Sequence, residues 1–129
     1  YIDEKAYPVQ MSDYILKYFD ENNIDIKDVR LYNEYNYGSY LLYRGIPVFI
    51  DSRADLYAPE FNAGKDIFTD FIQSSNLEVW FEDIFSKYDI THIILYKDSK
   101  MNMIIKDAHL KGYNLLKEDD NFVFYEITK

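Results

Sequence analysis

Apolar residues recur along this chain with two alternating periods. Pro8, followed by Met11, Tyr14, Ile15 and Tyr18 at helical spacing, predicts an amphipathic helix over 8–21 that stops before Asn22-Asn23. Val29 to Tyr32 then has the β-branched and aromatic character of a short strand, and Gly38 to Tyr43 that of a brief helix. Ile46-Pro47-Val48-Phe49-Ile50 is continuously apolar, as in a strand buried on both faces, with Pro47 near its start. Ile67, Phe68, Phe71 and Ile72 form one stripe of a helix over 64–73. Ser75 and Glu78 have capping-box spacing ahead of Leu77, Trp80, Phe81, Ile84, Phe85 and Tyr88, which predicts a helix that buries Trp80. Thr91 to Tyr96 reads as a central strand. Ser99 caps a helix that turns Met101, Ile104, Ile105 and Ala108 inward and stops at Gly112. Tyr113 to Lys117 and Phe122 to Thr128 flank the polar connection Glu118-Asp119-Asp120-Asn121, the pattern of a closing hairpin.

The order of elements is therefore α, β, α, β, α, α, β, α, β, β. The expected fold class is α/β: a three-layer, mostly parallel, Rossmann-like sheet of about five strands, with helices on both faces and a C-terminal antiparallel hairpin. No repeat, low-complexity tract or linker divides the sequence, so residues 1–129 are expected to form a single soluble domain. The absence of an initiator Met or signal pattern at Tyr1-Ile2-Asp3 reads as a fragment of something longer.

Composition narrows the functional classes. A formal net charge of -9, with no Lys/Arg cluster, argues against a nucleic-acid partner. With no cysteine there is no thiol nucleophile, redox pair or thiolate metal site, and an oxidising compartment is tolerated. His92 in an apolar strand and His109 on a helix lie far apart and read as structural, so no metal is expected. The four glycines are scattered, so there is no phosphate-binding loop, and no cofactor is expected.

Two segments carry more polar and aromatic residues than packing requires: Tyr32-Asn33-Glu34-Tyr35-Asn36-Tyr37-Gly38-Ser39-Tyr40 and Asp51-Ser52-Arg53-Ala54-Asp55-Leu56-Tyr57. If their preceding strands are parallel neighbours, both emerge at the carboxyl rim of the sheet, where α/β folds hold ligands. Spacing by two would put Asp51, Arg53 and Asp55 on one side of an extended chain, with the guanidinium between two carboxylates. The candidate site is thus a polar rim of Asn33, Tyr35, Asn36, Tyr37, Asp51, Arg53, Asp55 and Tyr57. Two readings stay open. The rim either binds a ligand, with Arg53 and the aspartates taking polar groups and the tyrosines offering stacking surfaces, or it satisfies itself internally and serves structure. No residue is assigned as catalytic, because a carboxylate pair around Arg53 suits an ion pair better than a general acid.

The segments from Asn33 to Leu41 and from Val48 to Tyr57 resemble the C-terminal soluble domain of large bacterial and archaeal multipass membrane proteins described as glycosyltransferase-like, of the class that uses lipid-phosphate-linked sugars. That group reads approximately Asn-Asp-Tyr-Asn-Trp-Gly-Gly-Tyr-Leu, then Phe-Ile-Asp-Gly-Arg-Ala-Asp. Here Glu34 replaces Asp, Tyr37 replaces Trp, and Ser39 and Ser52 replace Gly. The similarity continues through Trp80 to Tyr96 and into the hairpin. The resemblance implies a non-catalytic extracytoplasmic module, tethered by an N-terminal membrane region, whose partners are that membrane portion and a glycan, lipid-linked sugar or acceptor. The catalytic acids of such transferases lie in the membrane portion, so none is carried onto Asp51 or Asp55. The alternatives are a purely structural or protein-interaction domain and, further off, an independent carboxylate-dependent hydrolase or transferase.

Overall fold

The computed structural model describes residues 3–53 and 66–128. Its sheet is built from β1 (Leu31–Tyr32), β2 (His92–Tyr96), β3 (Tyr113–Glu118) and β4 (Phe122–Ile127), in spatial order β1-β2-β4-β3. β1 runs parallel to β2, with Leu31 opposite His92 and Tyr32 opposite Ile93. β4 runs antiparallel to β2, and the β3–β4 hairpin closes the chain with a register shift between Leu115 and Lys117. Asp119 Oδ1 fastens the hairpin turn by accepting from the backbone N–H groups of Asn121 and Phe122.

Among the described residues, five α-helices cover both faces. On one face α1 (Val9–Glu21) and α2 (Gly38–Tyr43) bury Met11, Ile15, Phe19 and Leu41 against Leu31, Ile94, Phe122 and Phe124. On the other, α3 (Ile67–Ser75), α4 (Phe81–Lys87) and α5 (Lys100–Asp107) bury Phe71, Phe81, Phe85, Met101 and Ile105 against Tyr32, Ile93, Leu95, Val123 and Tyr125. Strand alternation therefore divides β2 and β4 between two separate cores.

The expected five-stranded, mostly parallel Rossmann-like sheet is not formed. Among the described residues the sheet has four strands, and only the β1–β2 pair is parallel. The difference lies at 46–50, which is not a strand. Those residues are apolar because Ile46, Phe49 and Ile50 are buried, but their backbone is held by the Asn33 side chain instead of a ladder. Apolar content reports burial and leaves pairing open.

Helix ends also differ from expectation. Ser75 closes α3, and α4 begins after Trp80, which packs its ring tilted against Phe81 with centroids 4.4 Å apart yet stays 44% exposed. α5 ends at Asp107, so Ala108 is exposed and Gly112 lies in the turn before β3. Each helix stops instead at a left-handed residue: Asn23, Gly45, Leu77, Asp89 and His109. At each stop the next N–H reaches back five residues, as in Ile24 N to Phe19 O and Leu110 N to Ile105 O, which is the Schellman closure. Only Gly45 of the five is a glycine, so glycine was a poor marker of helix ends in this chain.

Candidate functional site

β1 and β2 are parallel, so their carboxyl ends, Tyr32 and Tyr96, open on the same edge. The segment leaving β1 turns at once into a 3-10 helix, Tyr35–Tyr37, and then α2. Asn33 is fully buried beneath this turn. Its Oδ1 accepts from Phe49 N at 2.7 Å and Ile50 N at 3.4 Å, and its Nδ2 donates to Ile50 O at 2.8 Å. A side-chain amide thus supplies the hydrogen bonds that a neighbouring strand would have given.

Gly38 makes the approach possible, because an added Cβ would lie 2.0 Å from Ile50 O and 2.9 Å from Asp51 Cα. Ser39 Oγ and Ser52 Oγ complete the junction at 2.8 Å. The two sequence segments are therefore one joint.

Asp51 and Arg53 form part of that joint. The Asp51 carboxylate is fully buried, accepts from Arg53 N, and takes the guanidinium through Nε at 3.0 Å and Nη2 at 2.6 Å, while the Arg53 side chain remains half exposed. Asp55, the expected second carboxylate, and Tyr57 lie outside the described residues. Tyr37 is also wholly buried, its ring edge-on to Tyr96 and Phe122 with centroids 5.0 and 5.2 Å apart. Asn33, Tyr37 and Asp51 hold the rim together from inside, whereas Tyr35 and Asn36 face outward into a cleft.

That cleft, of about 500 Å³, opens at the edge between β1 and β2 and is lined by Glu34, Tyr35, Asn36, Tyr96 and the Phe68, Phe71, Ile72 and Ser75 face of α3. Tyr35 meets Phe68 edge-on at 6.2 Å. Among the described residues of this lining, Glu34 is the charged one. Its Oε1 accepts the Tyr96 backbone N–H at 2.6 Å and the Tyr37 hydroxyl at 2.7 Å, and that same hydroxyl also lies 2.9 Å from Ile94 O. Oε2 takes no hydrogen bond among the described residues, and it is not sealed in, since the buried side-chain atoms left without partners there are Ser12 Oγ and His92 Nε2.

Burial pushes the Glu34 carboxyl up from its ordinary 4.5 to about 7; the two hydrogen bonds oppose that rise and the Asp98 charge adds to it. A carboxyl raised by burial in a cleft makes Glu34 a candidate functional group. Glu34, Phe68, Phe71, Ile72, Ser75 and Tyr96 extend the candidate site beyond the residues singled out in the sequence. Glu34 could have been found there, as the one acid in an otherwise amide and aromatic segment following a strand.

Elsewhere, His92 is buried among Tyr18, Phe19 and Phe124, with Nδ1 2.8 Å from Thr91 Oγ1, and burial lowers its pKa. Among the described residues no cluster of three or more His, Cys, Asp or Glu could hold a metal ion. Nor is any helix there long and apolar enough to cross a membrane. Compared with known proteins, the chain matches no protein-family model, no curated protein and no solved structure.

Proposed function

We infer that this domain is a binding module that positions a sugar ring in the rim cleft, serving as a non-catalytic extracytoplasmic part of a glycosyltransferase-like membrane protein. The cleft carries the reading. Its Tyr35, Phe68 and Phe71 walls offer apolar faces to a ring, while Glu34, Asn36 and Ser75 offer hydrogen-bonding groups to its hydroxyls. The setting in a larger membrane protein rests on the resemblance of the two rim segments. Binding is favoured over hydrolysis because glycosidic cleavage normally uses two facing carboxyl groups. Among the described residues the cleft is lined by one, Glu34.

The test is a titration of the isotopically labelled chain with neutral hexoses, read at the Tyr96 backbone amide, which donates to Glu34. Saturable shifts at Tyr96, Tyr35 and Ser75, lost in Y35A, are expected. No shift with any hexose, neutral or amine-bearing, at millimolar concentration overturns the reading. A purely structural role is supported for one part of the rim: the buried Asp51 carboxylate is paired with Arg53, so R53A is expected to lower the melting temperature without changing the cleft titration.

A further inference from the structure

The cleft also has a charge preference. Its described lining contains one carboxyl and no Lys, Arg or His, and Asp98 adds a second negative charge to the field at Glu34. A phosphate would enter without a cation to meet it and against two carboxylates. A cation in the cleft would meet Glu34, whose Oε2 has no hydrogen bond among the described residues, with Tyr35 and Phe68 in the same lining. The upward-shifted carboxyl makes the same point. Once ionised, Glu34 lacks a compensating charge, and an ammonium group would supply it. Tyr35 and Phe68 would add attraction between cation and ring.

We propose that the cleft selects an amine-bearing ligand, an amino sugar on the sugar reading above, whose protonated nitrogen pairs with Glu34 Oε2 while its ring lies against Tyr35 and Phe68. The identification as a sugar rests on that earlier reading, but the preference for an amine does not. Glu34→Gln is the informative variant. Its carbonyl oxygen can keep accepting from Tyr96 N–H and Tyr37 O–H, while the charge is lost.

The experiment is a titration of the wild-type chain and E34Q with glucosamine, glucose, N-acetylglucosamine, glucose 1-phosphate and cyclohexylamine, followed at the Tyr96 amide. Glucosamine should bind roughly tenfold more tightly than glucose or its N-acetyl form, the low end for a hydrogen bond between charged groups. The preference should vanish in E34Q. Because the N-acetyl comparison removes the charge from the ligand, it remains decisive even if E34Q folds poorly.

Equal affinity for glucosamine and glucose, a preference retained in E34Q, or tighter binding of the phosphate overturns the amine assignment and leaves the sugar reading standing. Binding of cyclohexylamine without any sugar supports the amine assignment and overturns the sugar reading. Binding of none of the five overturns both.

Discussion

Replacing Glu34 by Gln should change the pH dependence of stability as well as binding. The groups that bear on Glu34 are the Tyr37 hydroxyl, the Tyr96 backbone and ring, the Tyr32 hydroxyl and Asp98. Together with burial they leave the folded carboxyl near 7 against an ordinary value of 4.5, so the folded chain holds this proton more tightly than the unfolded one. The resulting stabilisation is complete below the unfolded value and is lost as pH rises through the folded one. At about 1.4 kcal/mol per pH unit, the gap sets a ceiling of about 3 kcal/mol. Because Oε2 reaches solvent and relaxation lowers the cost, about 1–2 kcal/mol is the expected share. E34Q has no proton to lose there. Measured by urea denaturation at a series of pH values, wild type should lose about 1–2 kcal/mol relative to E34Q between about pH 5 and pH 8, with equal m-values. His92 and the other titrating groups are common to both proteins and cancel in the difference. Parallel stability curves across that range would refute the argument.

Four further outcomes follow from the packing. N33A leaves the Phe49 N–H and Ile50 carbonyl buried without their partner and should cost about 3 kcal/mol in chemical denaturation, several times a typical surface substitution. G38A drives a methyl into the Ile50 carbonyl and should cost more than about 3 kcal/mol, whereas G45A, where nothing lies within 4 Å, meets only its left-handed backbone and should cost about 1 kcal/mol; the reverse order in melting temperatures would show the joint to be loose. His92 has its pKa lowered by burial, so the stability it permits is present above its ordinary 6.5 and is lost as pH falls; H92F, among the rings of Phe19 and Phe124, should flatten the acid side of the stability curve. H109G relieves a left-handed histidine at the end of α5 and should raise stability by about 0.5–1 kcal/mol, visible as a rise in melting temperature.

Two elements could be read from sequence because burial dictates their residue types: Met11, Ile15 and Phe19 mark the one buried stripe of α1, and the continuous apolar run at 93–96 marks β2, which is buried on both faces. The partnering of segments was not legible. Nothing local in Ile46-Pro47-Val48-Phe49-Ile50 announces that its hydrogen bonds go to one asparagine seventeen positions upstream of Ile50. Helix ends were hidden for a related reason. A left-handed stop needs the next N–H to reach back. Leu77 takes that conformation although its chemistry does not favour it, and Asp89 and His109, which tolerate it better, are residue types that do not mark a stop on their own. At the rim, Asn33, Asp51 and Arg53 could be recognised as unusual, but their roles depend on contacts across the joint. The cleft itself depends on α3 arriving beside Tyr35, which the two rim segments do not encode.

Asn33 and Glu34 are consecutive, and each replaces a strand's hydrogen bonds with a side chain: Asn33 toward 49–50, Glu34 toward the backbone at Tyr96. For that structural task Glu34 uses a single oxygen. A glutamine would accept the same two hydrogen bonds through its carbonyl and would not carry a carboxylate that burial disfavours at neutral pH. At neutral pH a glutamine at position 34 is therefore expected to build the same joint at lower cost. The second oxygen has no hydrogen bond among the described residues, and Glu34 lines an aromatic cleft, so on the proposal above that cost is recovered by a ligand that brings the missing positive charge. Structure alone accounts for Asn33, Gly38 and the Asp51–Arg53 pair. It does not account for an acid at Glu34, which is why the proposed ligand site is the cleft rather than the polar rim beside it.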